Sequence, residues 1–310
     1  MSLRKPKALR RGDLVGVCAP SGAVDATRLA EGVRALEKLG LRVRVPPGLP
    51  EARDLFMAGG VTRRVDELHA LLDDPDVAAI VCARGGAGAL QLLPALDLAA
   101  RAARPKVFVG YSDITPLQLA LQRLGWVTFH GPMLARDFGD GLADLDSFRA
   151  AVMRGAPQAF EGEPLRPLRP GAAQGVLRGG CLTLLASLCG TPWAPRFDDD
   201  TLLFIEDWDE PPYRLERLLW QLRAAGAFER PRGVVFGEMQ RCAAPAGLPY
   251  HLEDVLLRAL DGLDAPIAIG LPSGHTTRPN LTLPLGVAAR LTCGETARLE
   301  LPEPGVEADA

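Results

Sequence analysis

Short apolar runs alternate along the first half of the chain with segments whose apolar residues recur every three to four positions. Leu14 to Ala19 predicts a strand, closed by a Pro-Ser-Gly turn. Ala26 to Leu39 carries Leu29, Val33, Leu36 and Leu39 on one helical face, with Asp25 as N-cap and Gly40 as stop. Leu41 to Val45 predicts a short strand, and Thr62 to Leu72 a helix with Val65, Leu68 and Leu72 on one side. Val77 to Cys82 is apolar throughout, as a strand covered on both faces must be. The glycine-rich loop Arg84-Gly-Gly-Ala-Gly88 and a further helix follow. Val107 to Val109 predicts the next strand, Asp113 to Leu124 a helix with Pro116 in its first turn, and Trp126 to Phe129 a closing strand. Repeated β-α-β units with continuous apolar strands predict a parallel, doubly wound sheet. Such sheets bind ligands at the carboxyl ends of their strands, where the 84–88 loop and Ser112 both fall.

The second half reads differently. Pro157, Pro164, Pro167 and Pro170 lie among charged residues, as in a linker. Strands are then predicted at 175–177, 202–205, 234–236, 267–269, 281–285, 288–292 and 297–301, and helices at 182–188, 213–225 and 252–260. The division expected is an N-terminal α/β domain over 1–135, a linker over 136–174, and a smaller, mixed and strand-rich C-terminal domain over 175–310.

A length of 310 residues suits two domains, and a net charge of −3 speaks against nucleic acid or an anionic membrane as the main partner. Met1 to Asp13 is basic and polar with no apolar signal-peptide core, and no stretch is long and apolar enough to span a bilayer, so a cytoplasmic location is expected. The six cysteines are scattered without a C-x-x-C pair, which predicts buried free thiols rather than a zinc site or a disulfide framework.

Candidate chemistry begins at Ser112, in Gly110-Tyr-Ser-Asp113 between an apolar strand and a helix. A serine on a sharp strand-to-helix turn has its hydroxyl held outward beside unpaired N–H groups, the arrangement of a nucleophile elbow. The competing reading is a plain helix cap. A serine nucleophile needs a base and a group to orient it. Of four histidines, His69 lies in a helix pattern, His251 opens a helix, and His130 ends a strand. His275 sits mid-way in the loop from Gly270 to Asn280, a common place for function. Glu206 ends an apolar strand and opens the acidic run Glu206-Asp-Trp-Asp-Glu210, which reads either as a partly desolvated carboxylate or as a solvated turn. No histidine or second acidic motif lies near that run, so no metal is expected.

These segments together resemble the LD-carboxypeptidases, the family of the muramoyl-tetrapeptide carboxypeptidases and the microcin self-immunity peptidases. The matching stretches are Ala83 to Gly88 with Leu92 to Asp97, Gly110-Tyr-Ser-Asp113, His130-Gly-Pro132, Gly179-Gly180 with Gly190-Thr-Pro192, Phe204-Ile-Glu-Asp207 with Glu210 and Pro212 to Arg217, and Gly274-His275 with Leu283 to Gly286. They follow family order across nearly the whole chain. The resemblance implies an N-terminal sheet of the flavodoxin or glutamine-amidotransferase kind, with Ser112 as nucleophile there. It implies His275 as base and Glu206 as its orienting carboxylate on the C-terminal domain, with the site in the cleft between the domains. It implies an oxyanion hole from the backbone N–H groups of Gly86 and Asp113. Arg84, Gly85, Tyr111 and Trp208 become candidate substrate contacts. No cofactor is implied, and a homodimer is.

The reaction expected is hydrolysis of an L,D-peptide bond that releases D-alanine from a cytoplasmic murein tetrapeptide, free or on muramic acid. The family alternative is a peptidase or amidase that clears an aminoacyl-nucleotide antibiotic. Two readings of other classes remain: a nucleotide-binding module using the 84–88 loop, which lacks the third glycine of a dinucleotide fingerprint, and a non-catalytic peptide-binding protein. The chain departs from the common family pattern at Ala87, where tyrosine is usual, at Gln91, where arginine is usual, and at Cys181, where asparagine is usual. These departures bear on substrate contacts, and the third stem residue, lysine or diaminopimelate, stays open.

Overall fold

The computed structural model describes residues 3–101 and 103–307. In chain order the elements are β1 (Leu14–Cys18), α1 (Ala26–Lys38), β2 (Arg42–Arg44), α2 (Val61–Asp73), β3 (Val77–Cys82), β4 (Val107–Gly110), α3 (Thr115–Arg123), β5 (Thr128–His130) and α4 (Leu145–Arg149). There follow β6 (Gln158–Glu161), β7 (Arg166–Arg169), β8 (Gly171–Cys181), α5 (Leu182–Ser187), β9 (Thr201–Glu206), α6 (Pro212–Ala224), β10 (Gly233–Gly237) and α7 (Leu252–Ala259). The chain closes through β11 (Ile267–Leu271), β12 (Leu283–Leu285), β13 (Ala288–Cys293) and β14 (Ala297–Leu301). Two compact units result: the first holds residues 1–156, 279–286 and 304–310, the second 157–278 and 287–303.

The first unit is built on a six-stranded sheet in the order β12-β5-β4-β3-β1-β2. Its five N-terminal strands are parallel, and their order 2-1-3-4-5 is that of doubly wound flavodoxin-like sheets. β1, β4 and β5 are buried at every residue, which is why they read as unbroken apolar runs. α2 packs on β1 and β3, and α3 on β5. After the glycine loop the expected helix is a 3-10 turn, Ala89–Ala95, because Pro94 within it removes a donor that an α-helix would need. The helix expected from Asp113 likewise opens as a 3-10 turn, Ser112–Ile114, before α3.

The second unit carries an eight-stranded mixed sheet, β6-β14-β13-β8-β9-β10-β11-β7, parallel from β8 through β11 and antiparallel outside them. α5 packs on β8 and α6, and α6 on α7. Residues 136–174, expected as a linker, are built: α4, β6, β7 and the start of β8 lie there. Their prolines are consistent with this, because β6 and β7 are the two edge strands, where Pro167 breaks no ladder on its open side. The predicted strand at 281–285 appears as β12, but it adds antiparallel to β5 in the first sheet rather than joining its sequence neighbours. All six cysteines are free, and five of them are buried.

Within the first unit, a π-helical turn at Leu134–Phe138 buries Asp137. Its carboxylate accepts the Met133 N–H at 2.8 Å and the Tyr111 hydroxyl at 3.3 Å, with the Asn280 side chain also bonded. Burial nevertheless pushes this carboxyl up from 3.8 to about 6. The folded chain therefore binds the proton more tightly than the unfolded one. The contribution is greatest below pH 3.8 and is lost as pH rises through about 6. Relative to Asp137→Asn, the unsubstituted protein should lose about 3 kcal/mol of stability over that window. Urea melts of both proteins at pH 4, 5, 6 and 7 read this directly; a difference that does not change with pH contradicts it.

Candidate active site

In the first unit, β4 delivers Ser112 to the carboxyl edge of the sheet. Tyr111 is extended, and Ser112 then turns to a φ of 61°, in the left-handed region that non-glycine residues avoid. A serine acting as an N-cap is extended instead, and α3 has Ile114 at its cap with no side-chain bond. The geometry is thus the strained strand-to-helix turn of an elbow, not a cap. Neighbours hold the turn. Tyr111, expected as a substrate contact, is instead 1% exposed beneath it with its hydroxyl on Asp137, so this ring packs under the elbow. Gly85 lies flush against the serine: a Cβ there would stand 3.0 Å from Ser112 Cβ and 3.2 Å from Oγ. Asp113 is buried and accepts from Ser21 Oγ and from the Ala89 N–H at 2.8 Å. Burial raises its pKa, opposed by those two donors and by the charge of Arg64.

The loop after β3 runs beside this turn. Gly86 and Gly88 have φ of 117° and 126°. The Gly85 carbonyl accepts the Gly22 N–H at 3.1 Å. Arg84 is exposed and donates to the Ala23 carbonyl at 3.0 Å, while Gln91 accepts from Arg64 at 2.9 Å. Ala87 is exposed at the loop tip.

In the second unit, β9 is buried along its length and ends on Glu206, which is 0% exposed. One carboxylate oxygen accepts both the backbone N–H of His275 at 3.0 Å and its Nδ1 at 2.7 Å. Donation from Nδ1–H puts the imidazole lone pair on Nε2, the form a general base requires. Gly274, at a φ of 92°, makes the approach possible, since a Cβ there would fall 2.6 Å from the Glu206 carboxylate. Gly237 clears the other side, where a Cβ would lie 2.7 Å from Glu206 Cβ. The Trp208 indole, 43% exposed, stacks on the imidazole with centroids 6.1 Å apart and planes at 22°. Arg241 covers the indole at 5.3 Å and pairs with Asp209 at 3.0 Å.

The acidic run therefore divides its labour. Glu206 meets His275; Asp207 accepts from Thr183 N and Oγ1 and from the Trp208 N–H; Asp209 takes Arg241; Glu210 takes Arg214 at 2.8 Å. Burial, and then the Glu206 charge, push Asp207 up to about 6. Cys181 is buried beside Asp207, 3.8 Å from it. Two residues that the sequence pattern did not single out support these groups. Glu238, just past β10, accepts from Thr276 Oγ1 and from Thr277 N and Oγ1, which fixes the loop carrying His275. Arg64 is the other. Glu238 had a readable signal, because it follows an apolar strand as Glu206 does. The remaining histidines are structural: His69 accepts the Asp97 N–H at 3.2 Å, His130 is buried with its ring 5.8 Å from Tyr111, and the His251 N–H is capped by Asp254 at 2.7 Å. Among the described residues no cluster of three or more His, Cys, Asp or Glu side chains could hold a metal ion.

Comparison with known proteins matches residues 15–131 to the LD-carboxypeptidase N-terminal domain and residues 174–291 to the LD-carboxypeptidase C-terminal domain. The probable murein peptide carboxypeptidase of Bacillus subtilis (strain 168) is 37% identical over 96% of this chain and 94% of its own. The structure of a muramoyltetrapeptide carboxypeptidase from Oxalobacter formigenes is similar with a TM-score of 0.82 at 30% identity, covering 94% of this chain and 99% of that one. The Microcin C7 self-immunity protein MccF of Escherichia coli is 31% identical over 89% of each chain. A solved MccF structure is similar with a TM-score of 0.87 at 26% identity, over 98% of this chain and 100% of that one. With both domain models matched in order and relatives alike over nearly their full lengths, the chain belongs to the LD-carboxypeptidase family of serine peptidases.

Proposed function

We propose that this chain hydrolyses the L,D-peptide bond that releases the terminal D-alanine of a murein tetrapeptide. The observation that carries the reading is the backbone of Ser112, a non-glycine residue kept at a φ of 61° at the end of a buried strand. Strain of that kind persists where the hydroxyl's direction matters. In this mechanism Ser112 Oγ attacks the carbonyl of the L,D bond while His275 Nε2 takes its proton. Glu206, bonded to Nδ1, holds the ring and stabilises the imidazolium that forms. The N–H groups of Gly86 and Asp113 receive the developing oxyanion. His275 then protonates the departing D-alanine amine, and water resolves the acyl-enzyme by the reverse steps. Trp208 and Arg84, both exposed, are assigned to substrate contact, with Gly85 as the surface beside the scissile carbonyl. We place the reaction in the cytoplasm, on stem peptides released from the wall, and assign a homodimer; both are carried over from the family resemblance.

The similarity to MccF favours a second reading, hydrolysis of an aminoacyl-nucleotide antibiotic by the same acyl-transfer chemistry. A non-catalytic nucleotide-binding module built on the 84–88 loop is disfavoured: the Ala89 N–H, which a phosphate held by that loop would need, is already spent on the Asp113 carboxylate.

Mass spectrometry of L,D- and L,L-tetrapeptides after incubation should show D-alanine released from the L,D series alone. Ser112→Ala should lower that rate by roughly 10³ to 10⁶. Release by the alanine variant at a near-normal rate sinks the assignment. Gly274→Ala should drive a methyl into the Glu206 carboxylate and lower kcat about 100-fold with little change in KM. Steady-state kinetics on the folded variant, checked by thermal melting, decide it; an unchanged kcat rejects the Glu206–His275 pair as the base.

A further inference from the structure

α2 presents Val65, Leu68, Leu71 and Leu72 to the interior of the first unit, and Arg64 lies on the same buried face at 1% exposure. A guanidinium in such a place is costly unless its donors are met. Nη1 donates to the Pro20 carbonyl at 2.8 Å and to the Gly88 carbonyl at 3.0 Å. Nη2 donates to Gln91 Oε1 at 2.9 Å and faces Met57 Sδ at 3.4 Å. The positive charge is balanced by Asp113 and Asp54, whose fields oppose the lowering that burial imposes on Arg64. Gly88 makes room for it, since a Cβ there would fall 2.7 Å from Nη1.

The carbonyl, amide and Asp113 partners belong to the loops that follow β1, β3 and β4, while Met57 and Asp54 lie in the loop after β2. The Gly88–Ala89 peptide is gripped at both ends, its carbonyl by Arg64 and its N–H by Asp113. The β1 loop is held at Pro20 by Arg64 and at Ser21 by Asp113. From there the Gly22 N–H engages the Gly85 carbonyl. In a trans peptide this turns the Gly86 N–H to the opposite side, and Gly85 itself lies against Ser112. A planar fork with fixed donor directions can span two loops and a charge partner on the third; a lysine ammonium cannot.

We infer that Arg64 is a positioning residue for the reaction: it locks the loops after β1, β3 and β4 into one frame that aims the Gly86 N–H and the Ser112 turn. The inference rests on the reading of Ser112 as nucleophile and Gly86 as oxyanion donor. Arg64 acts before chemistry, by removing the freedom of peptide units that must meet a tetrahedral oxyanion. Its loss should therefore weaken binding of the transition state and leave ground-state binding alone.

The test compares Arg64→Lys and Arg64→Met with the unsubstituted enzyme on an L,D-tetrapeptide, with Ser112→Ala alongside. Both Arg64 variants should lose about 100-fold in kcat with KM within about threefold. Affinity for a peptidyl boronate, which forms a tetrahedral adduct on a serine, should fall by the same factor, while affinity for the product tripeptide should hold. A folded Arg64→Lys protein with unchanged kcat and boronate affinity overturns the inference. So does a loss that disappears when rates are expressed per active site titrated. If neither variant folds, Ser21→Ala and Gln91→Leu each cut one arm of the frame. Each should lower kcat about tenfold at constant KM, and an unchanged kcat in both overturns the inference equally. Activity surviving in Ser112→Ala would instead defeat the nucleophile reading, whatever Arg64 does.

Discussion

Holding a serine at a φ of 61° costs on the order of 1–3 kcal/mol, and much of the first unit is arranged so that Ser112 has no other place to go. The strand before it is buried on both faces and cannot slide. Tyr111 is pinned below by Asp137, and Gly85 closes the space beside the hydroxyl. Asp113, the next residue, is bonded to two neighbouring loops. Relaxing the turn would break several of these contacts at once, and so the local strain is outvoted. The doubly wound topology supplies the stage. The strand order reverses between β1 and β3, the point in a doubly wound sheet where ligands bind, at the carboxyl edge. Residues after β1, β3 and β4 meet there.

The second unit solves a different problem with a similar device. A carboxylate with no exposure must be met by donors or it will take up a proton. Glu206 is met twice by one residue, through the backbone and the ring of His275. The backbone bond fixes where the loop passes; the ring bond fixes the tautomer. Glycine at 274 is what lets the loop come so close. Glu238 holds the same loop one and two residues past His275, through Thr276 and Thr277. The imidazole is thus positioned by the loop's attachments on both sides, with Trp208 stacked on its face.

Much of this was legible in the sequence, unevenly. β3 was read to the residue, because an apolar run of six bounded by an aspartate and a glycine loop has one good interpretation. β12 was read as a strand but not as a member of the first sheet, since three apolar residues look the same in either sheet. β6 and β7 were hidden by prolines that edge positions tolerate. At the site, the residues alone left Ser112 between a cap and an elbow, because φ is not written in Gly-Tyr-Ser-Asp; the resemblance chose the elbow. Arg64 was missed although a signal existed. It falls four residues before Leu68 on the helical stripe, whereas its neighbour Arg63 makes an i,i+4 pair with Glu67 on a half-buried flank of the helix. A charge on the apolar face of a helix marks a buried polar junction, and the stripe was read only for its leucines and valine.

The three departures from the family pattern can now be separated by where each side chain is spent. Cys181 is buried against Asp207, inside the framework behind Glu206. Gln91 gives its carbonyl oxygen to Arg64, an acceptor where the common arginine would bring a second cation against the first. Both substitutions alter supporting structure. Ala87 lies exposed at the tip of the loop between Gly86 and Gly88 with no polar group to spend, whereas Gln91, also exposed, spends its oxygen on the buried Arg64. Where the family commonly carries tyrosine, this chain presents no aromatic surface and no hydroxyl beside the proposed oxyanion donor. Differences in what this chain accepts as substrate should therefore trace to Ala87, and not to the residues that hold the site together.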